Sequence, residues 1–159
     1  MTRDAALSAV FFVIAPGTVA GLIPYVLTRW ESHNWYGATI PARVSGAVLI
    51  AAGLGGLLHA VFRFVTEGRG TPAPVMPPTT LVVHGLYRYV RNPMYVAIVT
   101  LIIGQALWLG RFILLGYAAV AWLAFHLFVV LYEEPKLRRT FGPPYDDYRT
   151  RVRRWWPRL

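Results

Sequence analysis

The chain's 159 residues are 56% hydrophobic and only 14% charged, with a mean hydropathy of +0.46, whereas roughly a quarter of an average soluble domain is charged. The length suits one domain, and the apolar excess places it in a bilayer rather than in water. Cysteine is absent, which excludes disulfides, thiolate metal sites and a cysteine nucleophile; with this hydropathy, the net charge of +9 selects an anionic membrane surface over nucleic acid.

Four uncharged stretches at 5–28, 44–62, 94–110 and 112–132 match the ~20 apolar residues that a bilayer-crossing helix needs. The first is too long for the apolar region of a signal peptide and is expected to be retained. Pro16 and Pro24 should kink it, which a membrane helix tolerates. The second carries Ala47, Ala51, Ala52, Gly55 and Gly56 near a spacing of four, a stripe expected to pack against another helix. Next comes 66–83, TEGRGTPAPVMPPTTLVV, whose prolines and glycines forbid a regular helix. It should run extended along the membrane surface, as a linker or as a strap over a site.

Residues 84–95 read HGLYRYVRNPMY. Asn92 is a favoured N-cap and Pro93 a favoured first residue, so a helix should start there, with Arg88 and Arg91 beside its anion-attracting end. Only Gly110-Arg111 separates the third apolar stretch from the fourth, which predicts an antiparallel hairpin. The fourth stretch ends on Glu133-Glu134 before Pro135. Acids at a helix C-terminus are unfavourable by about 0.3–1 kcal/mol each, so a cation is expected to compensate them. The hairpin brings the Arg91-x-Pro93 corner and the acidic pair to one membrane face. The tail from Pro135 is basic and aromatic, broken at Gly142-Pro143-Pro144 into two short helices, with Trp155 and Trp156 suited to an interfacial anchor. Asp146 and Asp147 should lie in the first turn of the last helix. His59, His126 and Gln105, inside apolar segments, are read chiefly as hydrogen-bonded packing residues, and Arg63 as reaching to the interface.

Four crossings put thirteen of the 16 Lys and Arg residues on one side, leaving Arg29, Arg43 and Arg111 on the other. The basic side is then cytoplasmic, together with both termini. The expected fold is all-α: about four transmembrane helices, a hairpin of the third and fourth, and short C-terminal cytoplasmic helices. It forms a single domain over 1–159, with 1–64 supplying the first two spans and 65–159 the polar core and basic tail.

The chain resembles the isoprenylcysteine carboxyl methyltransferase and phospholipid methyltransferase superfamily over roughly residues 66–152. The resemblance is carried by His84-Gly85-Leu86-Tyr87-Arg88-Tyr89, Arg91-Asn92-Pro93-Met94-Tyr95, Glu133-Glu134, Phe141-Gly142, Tyr145, Tyr148 and Arg151. Gly70-Thr71-Pro72 and Pro77-Pro78 are also similar to bacterial members. It implies an integral enzyme of the cytoplasmic membrane that uses S-adenosylmethionine, releases S-adenosylhomocysteine, and takes a lipophilic substrate from the bilayer among membrane lipids. Neither a metal nor nucleic acid is expected as a partner.

The resemblance implies cofactor binding by His84, Gly85, Leu86, Tyr87, Arg88, Arg91, Asn92, Pro93, Tyr95, Glu133 and Glu134, with Glu134, Arg91 and Tyr95 catalytic. Arg91 suits the cofactor carboxylate, and Glu133 or Glu134 its cationic or ribose end. Where prenylcysteine enzymes carry an arginine before the acidic pair, this chain has Phe128, which favours an amine acceptor over a carboxylate. An amine must lose a proton, and Glu134, His84 or Tyr95 could take it. Two other readings stand beside this one. A reductase of the sterol-reductase type using NADPH would carry Gly-Trp-Trp-Gly and Arg-His-x-Asn-Tyr patterns, which are missing from the sequence. A non-catalytic lipid-binding protein would have no affinity for the cofactor.

Overall fold

The computed structural model describes residues 14–33, 39–68 and 80–157. Those residues are all helical apart from turns and one isolated parallel bridge between Val90 and Arg153. In chain order the helices are α1 (Ile14–Thr28), α2 (Thr39–Gly68), α3 (Pro93–Leu109), α4 (Phe112–Phe128), α5 (Glu134–Phe141) and α6 (Pro143–Arg151). A 3-10 turn at Gly85–Arg88 precedes α3. Two helices are long and apolar enough to cross a membrane, Ile40–Glu67 and the continuous Phe112–Phe141; α1 and α3 are shorter apolar helices. Residues 69–79, most of the expected strap, lie outside the described residues.

Pro24 shapes α1. A proline has no N–H, so the carbonyl four residues back, or five back in a wider π turn, loses its donor. The chain forms such a π turn at Thr18–Leu22. Both orphaned carbonyls find donors on other helices: Gln105 Nε2 donates to Ala20 O at 2.7 Å, and Tyr117 Oη to Val19 O at 2.8 Å. Gln105 thus makes the interhelical bond expected of it. These two bonds tie α1 to α3 and α4. Gln105→Leu and Tyr117→Phe are each expected to lower stability by about 1 kcal/mol, read as an earlier unfolding midpoint in a denaturing-detergent titration.

The α2–α3 contact is a close one. A Cβ on Gly46 would fall 2.6 Å from Trp108 N, one on Gly53 2.9 Å from Ala97 O, and one on Gly104 2.8 Å from Ile50 N. Backbone therefore lies on backbone. Gly46, Gly53 and Ala60, spaced by seven, form the buried line of α2, the spacing that keeps one face toward a partner helix. The packing stripe read from the sequence is thus displaced around the helix: Ala51, Ala52 and Gly55 are exposed. On the other side of α3, Ile98, Ile102, Ala106 and Leu109 pack on Leu114, Ala118 and Ala121 of α4. Gly110, in the left-handed region at φ 65°, ends α3, and Arg111 alone separates it from α4.

The helix carrying the acidic pair does not stop at it. A π turn at Val129–Glu133 leads straight into α5, and Glu134 N–H bonds to Val129 O, five residues back. Pro135 again follows the π turn. Because Glu133 and Glu134 lie within a running helix, the terminal-dipole penalty expected for them does not arise. Gly142, at φ 58°, separates α5 from α6, and Tyr145, Tyr148 and Val152 pack back against Leu81, Val83, Leu137 and Phe141.

Candidate active site

The approach to α3 is held by contacts far apart in sequence. Gly85 has φ 61°, and a Cβ there would sit 2.5 Å from His59 Nε2, so glycine is needed for the 3-10 turn to lie on α2. That turn buries Tyr87 among Ala60, Val82, Phe64 and Met94. Tyr148 Oη donates to Tyr87 O at 2.6 Å. Arg91 N–H bonds to Arg153 O at 2.9 Å beside the Val90–Arg153 bridge. Asn92 stands at the N-cap position, but its side chain makes no cap; Nδ2 donates instead to Arg154 O at 3.2 Å. The C-terminal segment therefore threads back against the start of α3.

Arg91 and the acidic pair meet. Arg91 Nη1 lies 2.9 Å from Glu134 Oε1, with both side chains about nine-tenths buried. This is a charge contact rather than a hydrogen bond, because neither Nη1 nor Nε of Arg91 has an aligned acceptor. Glu134 is gripped instead by Arg154, Nε to Oε1 at 2.7 Å and Nη2 to Oε2 at 2.8 Å. Glu133 turns the other way and accepts from Tyr95 Oη at 3.0 Å; the Tyr95 ring stacks on Phe125 at 4.7 Å.

These groups line one cavity that is open at its mouth. Tyr87, Arg91, Asn92, Tyr95, Glu133 and Glu134 all contribute to its wall, with Phe64, Val82, Phe128, Tyr132 and Phe141 among its apolar and aromatic members. The exposed Leu127, Phe128, Leu131 and Tyr132 lie on the flank of the same long helix, so exposed apolar surface runs up to the opening. Burial, then the charge of Glu133, pushes the Tyr87 phenol above its ordinary value. Burial does the same first for Tyr148 and Tyr145, with the Glu134 charge second for Tyr145. The hydrogen bonds to Glu134 raise Arg154 further.

His84, Gly85, Leu86 and Arg88 lie elsewhere, on a shallower groove with His59 and Arg63. There Glu67 joins Arg63 (Nη1 to Oε1, 2.7 Å) to His84 (Nδ1, 3.1 Å), and Arg88 stacks over the Tyr89 ring. Pro93 is buried as the first residue of α3. His126 is a packing residue as expected: it accepts from Trp155 Nε1 at 3.1 Å and stacks with Trp122. The expected interfacial anchor is thus partly internal, with Trp155 docked and Trp156 exposed. Asp146 takes Arg138 and Arg149, and Asp147 takes Arg151.

Arg154 was not legible as a site residue. It is one of several arginines in a basic tail, and nothing in its spacing marks it. Only the chain reversal after Gly142 brings it to Glu134.

Cavity, cationic corner and paired acids fit a site for an amphipathic, zwitterionic ligand. The family model described as phospholipid methyltransferase matches residues 42–144, well over half the chain, and spans the Arg91-Asn92-Pro93 corner and both glutamates. No curated protein and no solved structure matches the chain. The protein belongs to the phospholipid methyltransferase family, a member of the superfamily of membrane methyltransferases, whose activity is methyl transfer to lipids.

Proposed function

We propose that the cavity binds S-adenosylmethionine and that the protein methylates an amine-bearing lipid at the inner leaflet of the cytoplasmic membrane. The observation carrying this reading is that Arg91, nine-tenths buried and with no aligned acceptor for Nη1 or Nε, lines one cavity with Glu133. The cofactor has a carboxylate for the first and an ammonium and sulfonium for the second, so the residues present fit it. When bound, it would supply a methyl group activated by the positive sulfur. Arg91 holds the anionic end, as guanidinium does for carboxylates. Glu133 holds the cationic side, and the faces of Tyr87 and Tyr95 add cation–π attraction of about 0.5–2 kcal/mol. Fixing both reactants in near-attack geometry supplies about 7–11 kcal/mol of the barrier.

The proton of an amine acceptor passes to Glu133. Glu134 is a poor base because Arg91 and Arg154 occupy its oxygens; its role is to place Arg91. Tyr95 orients Glu133 through its hydroxyl. Support for the membrane setting comes from the apolar helices and from the arginine asymmetry of the sequence. We read all four apolar helices as spans, α3 and α4 as an antiparallel hairpin, residues 1–159 as one domain, and both termini as cytoplasmic.

The test is transfer of a radiolabelled methyl group from S-adenosylmethionine to aminophospholipid vesicles. Label in the lipid fraction supports the reading, and none with any amine lipid contradicts it. Tyr95→Phe removes a hydrogen bond to a charged group, worth about 1.5–3 kcal/mol. The expected outcome is a roughly 10- to 100-fold lower kcat with S-adenosylhomocysteine affinity changed less than about threefold.

A further inference from the structure

Glu134 has two cationic neighbours, and they hold it differently. Arg154 meets it as an aligned fork through Nε and Nη2. Arg91 touches it only through Nη1, at 2.9 Å and without hydrogen-bond alignment, and its Nε has no acceptor. Two guanidinium charges against one carboxylate leave this triad, of which Arg91 and Glu134 are buried, with one net positive charge. The geometry assigns that surplus to Arg91, which lines the cavity; Arg154 does not.

We propose that Arg154 is a positioning residue that fixes the charge of the cofactor seat: by saturating Glu134, it leaves the Arg91 guanidinium free to bind the carboxylate of the cofactor. Without Arg154, both Glu134 oxygens become available. Arg91 then closes on them as a bidentate pair, its donors turn out of the cavity, and the triad becomes neutral. The backbone around Arg154 is pinned independently, by Arg91 N–H to Arg153 O, by Asn92 Nδ2 to Arg154 O, and by Trp155 to His126. A side-chain change at 154 therefore alters charge while the tail stays docked. This proposal rests on the reading of the cavity as an S-adenosylmethionine site.

The experiment compares two ligands by calorimetry on detergent-purified full-length protein: S-adenosylhomocysteine, which carries the amino-acid carboxylate, and 5′-methylthioadenosine, which lacks it. Arg154→Met is expected to weaken S-adenosylhomocysteine about 10- to 100-fold and to leave 5′-methylthioadenosine within about threefold. Glu134→Gln combined with Arg154→Met restores the surplus charge on Arg91 and is expected to recover most of the lost affinity. If Arg154→Met does not fold, the double variant, which buries no unpaired acid, still supplies the second comparison. An unchanged S-adenosylhomocysteine affinity in Arg154→Met, equal losses for both ligands, or no recovery in the double variant would overturn the proposal. If the wild-type protein binds neither ligand, the cofactor reading itself fails.

Discussion

Arg91→Ala is expected to abolish measurable S-adenosylhomocysteine binding in a protein that still folds. Removing the buried charge that pairs with a ligand's carboxylate costs about 2–5 kcal/mol, and each 1.4 kcal/mol is a tenfold change in affinity. Arg91 carries more than a pair. It is the cavity's buried guanidinium, with Nη1 2.9 Å from Glu134 and no aligned acceptor for Nη1 or Nε. Folding should survive because Glu134 keeps its fork with Arg154. Arg91→Lys keeps the charge but loses the planar pair of donors, so it should recover only part of the affinity. Titration calorimetry, with circular dichroism as the folding control, reads both variants. Wild-type affinity in Arg91→Ala would remove this residue from the site.

The second large effect lies in the fold. Gly53→Val is expected to prevent assembly of the helices, whereas Gly55→Val, two residues on, should be nearly silent. A Cβ at position 53 would lie 2.8 Å from Leu101 Cγ, 2.9 Å from Ala97 O and 3.0 Å from Leu101 N; at position 55 it would meet nothing within 4 Å. Main-chain atoms cannot step aside as side chains can. The penalty should therefore reach or exceed the upper end of the usual overpacking cost, about 3 kcal/mol. The exposed change should fall within about 0.5 kcal/mol. The readout is the yield of monodisperse protein in detergent and its unfolding midpoint. Equal behaviour of the two variants would refute the described packing face.

That contrast shows where sequence reasoning stopped. The apolar segments announced a helical membrane protein, because twenty apolar residues have few other uses. Asn92-Pro93 marked the start of α3 to the residue, since backbone chemistry at a helix entrance is local. The meeting of Arg91 with Glu134 followed from two helices joined by a two-residue turn. The glycine face did not follow: both the 46-53-60 and the 47-51-55 series are small residues at helical spacings, and only the position of α3 chooses between them. The π turn at Val129–Glu133 has no compositional signature beyond Pro135, so the acids looked terminal when they are internal. Asn92 was recognised as the cap by position, yet its side chain serves the tail instead. The resemblance sets His84 and Arg88 beside Arg91, and the turn at Gly85–Arg88 directs them to the other groove. Arg154 depended entirely on a chain reversal.

The most direct test of the central claim is a calorimetric titration of the wild-type protein with S-adenosylhomocysteine, run beside NADPH. Micromolar binding of the adenosyl ligand at a one-to-one ratio, with no heat from NADPH, is the expected result. Binding of NADPH alone, or of neither, would contradict the assignment of the Arg91–Glu133–Glu134 cavity to a methyl donor.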